Sequence, residues 1–275
     1  MKSAQFQVHT DVEDRHWWFV GRRRILLDVA AALLANDEDG ALIVDVGCGT
    51  GANAAAMNRR FRCIGVDLSQ EAVSSARARF PDTEFICGPA PDVLESCAAR
   101  ATLLVLMDVL EHIQDDRGFL ADLVAAARPD ARFLITVPAD PRLWTEHDVS
   151  FGHFRRYVPS TLRAAWAGLP VEELTLAGLN TRLYPLVRSI RWLNRRRSAT
   201  SGRAGTDFEM LPGPVNALLT SLFAGESRRL LRSLATRRGG ARAAVSLLAV
   251  LRRLPDPVGE AVEVHRGQSS ARANA

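Results

Sequence analysis

Short apolar runs alternate with longer amphipathic segments along the first half of the chain. Such runs are typical of buried strands, and the segments between them repeat apolar residues at helical spacing. Ser69, for example, is placed to cap a helix that has Glu71 in its first turn. The predicted strands are 41–46, 62–67, 83–86, 101–107 and 131–137. This alternation predicts an α/β fold with a mostly parallel sheet covered on both faces.

The pattern changes beyond Pro138. Residues 171–176 predict a sixth strand and residues 243–251 predict the last, which completes a doubly wound, Rossmann-like sheet of seven strands. Two basic amphipathic segments, 183–197 and 215–238, lie between these strands and predict an inserted helical cap. Peripheral contact with an anionic membrane and dimerisation are the other roles open to them.

The N-terminal region repeats apolar residues at helical spacing around three arginines, which predicts an amphipathic helix. Its adjacent tryptophans, Trp17 and Trp18, cannot share one helix face, so one of them is expected to cover a cleft. The expected regions are 1–39 as a helical lid, 40–177 as the ligand-binding core, 178–242 as the helical insertion or cap, 243–254 as the last core strand and 255–275 as a disordered tail.

With 275 residues, of which 47% are hydrophobic and 24% charged, the chain is long enough to bury a sizeable core. This composition excludes a wholly disordered or collagen-like protein. The four cysteines lack C-x-x-C spacing, and the acidic N-terminus has no apolar segment typical of a secretory signal. We therefore expect a soluble cytoplasmic protein with reduced thiols.

The formal charge of +4 hides an asymmetry between the two halves. Residues 1–150 hold 15 Lys and Arg against 23 Asp and Glu, whereas residues 151–275 hold 20 against 8. Lys2 is the only lysine, so nearly all of the positive charge is guanidinium, which suits phosphate or carboxylate recognition. The basic half favours an anionic ligand or surface. It contains no recognisable nucleic-acid-binding module, so nucleic acid ranks low as a partner.

A glycine-rich turn follows the first predicted strand, where Gly47, Gly49 and Gly51 permit positive φ values and close approach of a ligand. The spacing also fits a loose dinucleotide fingerprint, with Asp67 at the end of the next strand, so a nicotinamide cofactor is one alternative. Asp45, two residues before the first glycine, suits an ammonium group better than a pyrophosphate. A Walker phosphate loop is excluded because no Gly-Lys-Ser/Thr sequence follows.

Three motifs occur in order over residues 40–140: DVGCGTG, GVDLS and LMDVLEHI. Together they resemble the motifs of the class I S-adenosylmethionine-dependent methyltransferases. The resemblance implies that fold, S-adenosylmethionine as cofactor, and a role for each matching position. Asp45, Gly47 and Gly49 would face the methionine part, Asp67 the ribose hydroxyls, Leu68 the adenine, and Met107 the methionine end. Many members have an acid after the third strand that binds the adenine, whereas here Pro89 follows Gly88. Asp92 would replace that acid, or the contact would be absent.

A finer resemblance lies outside these motifs. HWWF at 16–19, and HD followed by GHFRRY at 147–157, resemble a bacterial methyltransferase subgroup associated with natural-product and polysaccharide gene sets. This resemblance does not name an acceptor. We expect a small or medium-sized acceptor, with oxygen as the methylated atom. Candidate acceptor-binding residues are Trp18, Trp144, Arg155, Arg156 and Tyr157, of which the arginines suit an anionic group.

Methylation of a hydroxyl needs a base, and imidazole titrates near neutral pH. His112, His147 and His153 are therefore candidate catalytic residues. Asp108, Glu111 and His112 follow each other at helical spacing, and together with His153 they form a candidate site for Mg²⁺ or Mn²⁺. Similar patterns bind a divalent metal in plant small-RNA 2′-O-methyltransferases and in ubiquinone-pathway O-methyltransferases, where a metal would lower the pKa of an acceptor hydroxyl.

Three other functions remain open at the level of sequence. The same fold is compatible with non-methylating use of the cofactor, in cyclisation or elimination. The glycine fingerprint is compatible with an NAD-dependent oxidoreductase. The amphipathic segments are compatible with a non-catalytic, membrane-associated binding protein. The sequence specifies neither the acceptor nor the oligomeric state.

Overall fold

The computed structural model describes residues 10–37, 40–89, 93, 97–197, 207–240 and 243–255. The strands are β1 (Leu42–Val46), β2 (Arg62–Asp67), β3 (Glu84–Cys87), β4 (Leu103–Met107), β5 (Arg132–Pro138), β6 (Val171–Leu179) and β7 (Ser246–Arg253). The helices are α1 (Trp17–Leu33), α2 (Ala52–Asn58), α3 (Gln70–Arg79), α4 (Asp116–Ala126), α5 (Glu146–Phe151), α6 (Pro159–Ala164), α7 (Tyr184–Arg197), α8 (Gly213–Ala224) and α9 (Ser227–Thr236).

The seven strands form one sheet in the order β3-β2-β1-β4-β5-β7-β6. Neighbouring strands are parallel except at β7, which runs antiparallel to both β5 and β6. The predicted α/β fold with a doubly wound, mostly parallel, seven-stranded sheet is confirmed. The strand order reverses between β1 and β4, and the carboxyl ends of the strands at such a point form the crevice in which these sheets bind ligands.

Some element boundaries differ from those predicted. β6 extends three residues farther, to Leu179, because it remains paired with β7. The segment 215–238, predicted as one amphipathic unit, forms two helices instead. The helix is interrupted near Glu226, whose buried carboxylate accepts hydrogen bonds from Thr181 Oγ1 at 2.9 Å and from the Arg182 amide at 2.8 Å. A helix-breaking contact of this kind leaves no mark in the hydrophobic pattern.

Helices cover both faces of the sheet, as the pattern predicts. On one face, Ile25, Leu26 and Val29 of α1 are buried in the core together with Phe223 of α8 and Leu230 of α9. On the other face, α4 and α6 pack against the strands. The insertion thus shares one hydrophobic core with the N-terminal helix and the sheet.

The described helices are too short or too polar to span a membrane, and the four cysteines form no disulfide bond. Within the described part of the chain, no helix has both the length and the apolarity needed to cross a bilayer. Cys48, Cys63, Cys87 and Cys97 are free thiols. The expected disordered tail lies outside the described residues from 256 onward.

The packing of α8 on α1 is testable by truncation of its buried aromatic residue. Phe223 is 1% exposed, and a Cβ atom on Gly21 of α1 would lie 2.8 Å from its ring. Phe223→Ala is expected to lower the free energy of unfolding in urea by about 3–5 kcal/mol because it leaves a cavity. Leu222→Ala, at a 37% exposed position of the same helix, is expected to lower it by less than about 1 kcal/mol. Equal, small effects would contradict this packing.

Candidate cofactor and acceptor site

A cavity of about 780 Å³ lies at the carboxyl ends of β1, β2 and β4. The start of α1, helix α7 and the segment 207–211 contribute its outer walls. Most of its lining is apolar, while the polar groups gather at the strand ends and in the loop after β5. A large apolar cavity with a few convergent polar groups is the usual form of a small-molecule site.

The glycine turn after β1 forms one end of this cavity. Gly47, Gly49 and Gly51 all have positive φ, between +54° and +85°. A Cβ atom on Gly51 would lie 2.7 Å from the Phe85 ring, so tight packing explains that glycine. A Cβ atom on Gly49 would meet nothing within 4 Å, although Gly49 lines the cavity. The backbone at Gly49 is therefore open to a ligand.

Asp67 at the end of β2 holds this turn in place. Its Oδ2 accepts a hydrogen bond from the Gly49 amide and its Oδ1 one from the Ser69 amide, each at 2.8 Å. Each carboxylate oxygen has a further lone pair, so Asp67 can also accept from the hydroxyls of a ligand. Beside it, Leu68 is 69% exposed and lines the cavity. Both predicted cofactor residues thus reach the cavity.

Asp45 and Met107, at the ends of β1 and β4, line the adjoining part of the cavity. Asp45 is buried, and its Oδ2 has no hydrogen-bond partner among the described residues. Burial raises the pKa of its carboxyl to about 7, against the opposing charge of Arg22. A buried carboxylate oxygen without a partner is costly, so Asp45 is suited to accept from a cationic group that enters the cavity.

Arg22, in the second turn of α1, lies between the acids of this region. Its guanidinium pairs with Asp108 and stacks 4.1 Å from the centre of the Trp18 ring. Asp108 follows β4 with a φ of +58° and also accepts a hydrogen bond from Thr136 Oγ1 at 3.1 Å. The hydrophobic pattern marks Arg22 only as a polar position of a helix, so its role at the site was missed.

The start of α1 is attached to the glycine turn by a second set of contacts that the sequence did not reveal. Glu13 is buried, accepts a hydrogen bond from Thr50 Oγ1 at 2.8 Å, and pairs with Arg79 of α3. Arg79 also pairs with Asp14 at 3.0 Å. These contacts hold the residues before α1 across the cofactor end of the cavity.

Glu111, His112 and His153 form a cluster in the cavity wall, and we call the region around this cluster the acceptor side. One possible ligand atom from each lies within 4.8 Å of the others. Both carboxylate oxygens of Glu111 are buried without a hydrogen-bond partner among the described residues. Burial, and then the charge of Asp108, raise the pKa of this carboxyl well above its usual value. Asp108, predicted as a fourth metal ligand, lies outside the cluster because its carboxylate pairs with Arg22.

Asp148 in α5 orients one of these imidazoles. Its Oδ1 contacts His153 Nδ1 at 2.9 Å and Arg156 Nε at 2.8 Å. Burial alone would raise the pKa of the Asp148 carboxyl, but the His153 hydrogen bond and the charges of Arg156 and Arg191 hold it below its usual value. The carboxylate is therefore ionised and accepts from His153 Nδ1–H, and in the neutral ring the lone pair then lies on Nε2.

The other two histidines are held as neutral rings. Burial, and then the charge of Arg191, lower the pKa of His147 well below its usual value, and its Nδ1 accepts from the Asp207 amide at 3.0 Å. Burial, and then the neighbouring His153, lower the pKa of His112 to about 4. Arg191 of α7 pairs with Asp207 at 2.8 Å and so attaches the cap to this region.

The predicted acceptor-binding residues divide into two groups. Trp18 and Arg156 line the cavity, although Arg156 is already paired with Asp148. Trp144, Arg155 and Tyr157 are absent from the described cavity wall, so their contact with the acceptor stays a prediction. Tyr157 is buried and donates to Asp116 Oδ2 at 2.7 Å, and Arg155 also pairs with Asp116, at 3.1 Å. Asp92, predicted at the adenine, lies outside the described residues.

Two further cavity residues escaped prediction. Asn180 follows β6 with a φ of +58°, is buried, and has no hydrogen-bond partner for either amide atom among the described residues. Phe208 stands among His16, Trp18, Phe19, His147 and Phe151, at ring distances of 4.7–6.1 Å. A single Asn after a strand, or a Phe in a polar segment, gives no periodic signal.

Comparison with known proteins supports one family. The chain is 24% identical over 161 residues to the ubiquinone biosynthesis O-methyltransferase of Neisseria meningitidis serogroup C, which is 54% of this chain and 68% of that protein. It is 29% identical over 131 residues to a probable S-adenosylmethionine-dependent methyltransferase of Mycolicibacterium smegmatis, which is 46% of this chain and 47% of that protein.

Solved structures share the fold at low sequence identity. The cyclase SpnF superposes with a TM-score of 0.54 at 15% identity, covering 85% of this chain and 81% of that one. A methyltransferase in complex with its Haloferax volcanii Trm112 activator gives a TM-score of 0.54 at 17% identity, covering 92% and 96%. The model of the methyltransferase domain family matches residues 19–172. This chain therefore belongs to the methyltransferase domain family and is an S-adenosylmethionine-dependent methyltransferase.

Proposed function

We propose that the protein transfers a methyl group to a hydroxyl oxygen of a small or medium-sized acceptor. The observation that carries this proposal is the imidazole of His153, held by the ionised Asp148 with its second nitrogen free, on the acceptor side of the cavity. A hydroxyl must lose its proton as it attacks, and a fixed imidazole can accept that proton. Relatives named as O-methyltransferases add support.

The cofactor end of the cavity fits S-adenosylmethionine. Asp45 would accept from the cofactor's ammonium group, for which its unpartnered oxygen is suited. Arg22 would attract the cofactor's carboxylate, and Asp67 would accept from the ribose hydroxyls. Leu68 would cover the adenine, while Gly47, Gly49 and Met107 would line the methionine part. When bound, S-adenosylmethionine would supply a sulfonium methyl group for in-line attack by the acceptor oxygen, with S-adenosylhomocysteine as the leaving group.

We assign proton acceptance to Nε2 of His153 and not to the other two histidines. The acceptor nitrogen of His147 already receives the Asp207 amide, so its remaining nitrogen carries a proton and cannot accept another. The lowered pKa of His112 makes it a weaker base than an ordinary histidine. Asp148 would stabilise the imidazolium that forms on His153, which makes it a positioning residue.

A divalent metal at Glu111, His112 and His153 is a second candidate for the same step. The unpartnered Glu111 carboxylate favours it, because a cation would satisfy both the charge and the lone pairs. Two imidazoles and one carboxylate suit Mn²⁺ better than Mg²⁺, which prefers oxygen ligands. Such a metal would supply Lewis acidity toward an acceptor hydroxyl.

The acceptor side also indicates the shape of the substrate. Its walls include Trp18, Phe151 and Phe208, which suit an apolar or planar body. Asn180 would bind a group that has a hydrogen-bond donor beside an acceptor, because both of its amide atoms lack partners. His16 and Phe19 of the HWWF motif line the same cavity, which supports the proposed subgroup and acceptors from natural-product or polysaccharide biosynthesis.

Binding of the cofactor is expected to depend on pH through Asp45. In the free protein the carboxyl is protonated below about pH 7, so binding an ammonium group there must first release a proton. The dissociation constant of S-adenosylmethionine, measured by calorimetry, should rise about tenfold per pH unit below pH 7 and level off above it.

Asp45→Asn should bind the cofactor about 10- to 100-fold more weakly at pH 8 and lose the inflection near pH 7. Glu71→Gln, at an exposed position of α3, is the matched control and should behave as the parent protein does. An unchanged pH profile in Asp45→Asn would contradict the role assigned to this carboxylate.

Catalysis is testable with labelled S-adenosylmethionine and a metabolite extract of the producing cells. His153→Gln should lower methyl transfer about 100- to 10,000-fold, with cofactor affinity unchanged within about twofold. His147→Gln, at the neighbouring ring, should retain transfer within about tenfold. Mass analysis of the labelled product identifies the methylated atom.

The same assay with a chelator separates the two candidates. Loss of transfer on chelation and its return with Mn²⁺ would favour the metal. Methyl transfer that changes neither on chelation nor on addition of Mn²⁺ would exclude a role for the metal. Full transfer by His153→Gln would exclude His153 as the base. Conversion of a substrate without release of S-adenosylhomocysteine would instead indicate non-methylating chemistry.

A further inference from the structure

Two cap helices leave apolar side chains exposed to solvent. On α7 these residues are spaced by four and then three positions, which places them on one helix face. On α8 the spacing is three and then four. We call this set the apolar stripe. Its members are Leu186, Ile190 and Leu193 on α7 and Val215, Leu218 and Leu222 on α8.

The apolar stripe is continuous with the cavity. Leu186, Ile190 and Val215 are each between 44% and 50% exposed, and each also lines the cavity wall. These residues therefore lie at its mouth, where the apolar lining passes directly into an apolar outer surface. A mouth of this kind admits a molecule with a hydrophobic body without exposing that body to water.

The exposed surface of α7 also carries positive charge, with Arg196 beside the stripe and Arg188 at the other edge of the exposed surface. α7 contains no acidic residue, and its Arg188 and Arg196 are exposed. Arg196 stacks 3.9 Å from the ring centre of Trp192, which is itself exposed. α8 carries no charged residue, and Glu209 is an exposed acid in the segment before it. Exposed aliphatic, Trp and Arg side chains together match the boundary between acyl chains and anionic headgroups of a bilayer.

We propose that the apolar stripe and the arginines of α7 dock the protein on an anionic lipid bilayer. The aliphatic side chains would enter the acyl boundary, and Arg188 and Arg196 would contact lipid phosphates. The cavity mouth would then face the membrane. This placement, which rests on the proposed function, assigns the acceptor to the class of lipid-borne molecules with a polar reactive end.

A second copy of the chain is a less suitable occupant. In a symmetric dimer the same surface patch faces itself, so the arginines of two α7 helices would approach each other. Like charges at such an interface weaken association, whereas an anionic bilayer attracts them.

Sedimentation with vesicles tests the docking without cofactor or acceptor. The full chain is expected to bind vesicles of phosphatidylglycerol and phosphatidylcholine at least about tenfold more tightly than vesicles of phosphatidylcholine alone. Leu193→Glu should weaken this binding at least about tenfold, and so should the double variant Arg188→Glu/Arg196→Glu. None of these positions lines the cavity, so cofactor binding should not change.

Matched controls make the result specific to this surface. Leu254→Glu lies after β7 and replaces a leucine that is 38% exposed, against 39% for Leu193. It should bind vesicles as the parent protein does, and so should Arg59→Glu after α2.

Equal binding to both vesicle types, or equal binding by Leu193→Glu and Leu254→Glu, would overturn the proposal. A dimer of the parent chain that Leu193→Glu dissociates, without vesicle binding, would assign the surface to self-association instead. Methyl transfer measured without vesicles is independent of all these outcomes.

Discussion

The ion pair between Arg22 and Asp108 joins the parts of the molecule that form the site. Arg22 belongs to a helix whose inner face is buried in the core, and Asp108 stands at the end of β4. The same guanidinium lowers the pKa of Asp45 and Glu111, both of which burial raises. One cation thus offsets the charge of an acidic crevice that would otherwise be costly to bury. The position of Arg22 therefore links α1 to both the cofactor end and the acceptor side of the cavity.

A second buried network extends this arrangement toward the cap. Asp148 accepts from Arg156 and His153, and Arg191 of α7 lies 3.8 Å from it while pairing with Asp207. The cap helix is therefore attached to the same carboxylate that orients the proposed base. Displacement of α7 would remove a positive charge from beside His147 and Asp148. Arg191 thus links the cap helix to the electrostatics of the acceptor side.

The sequence predicts the sheet, and it places the candidate cofactor residues at the strand ends, because both depend on local patterns. Apolar runs identify the strands, and the positions of Asp45 and Asp67 relative to the glycines follow from strand-turn-helix geometry. The acceptor side depends on which distant groups meet. Nothing in the local pattern shows that Asp116 binds Tyr157 and removes it from the cavity, or that β6 places Asn180 there. The local pattern also gives no sign that the segment 215–238 is divided into two helices near Glu226.

The role of Arg22 is tested most directly by calorimetric titration of S-adenosylmethionine into Arg22→Met, Arg22→Lys and Arg24→Met. Arg24 is exposed two residues away on the same helix and serves as the matched control. The described arrangement predicts that Arg22→Met binds the cofactor at least about tenfold more weakly, that Arg22→Lys recovers part of the loss, and that Arg24→Met is unchanged. Parental affinity in a folded Arg22→Met protein would contradict it.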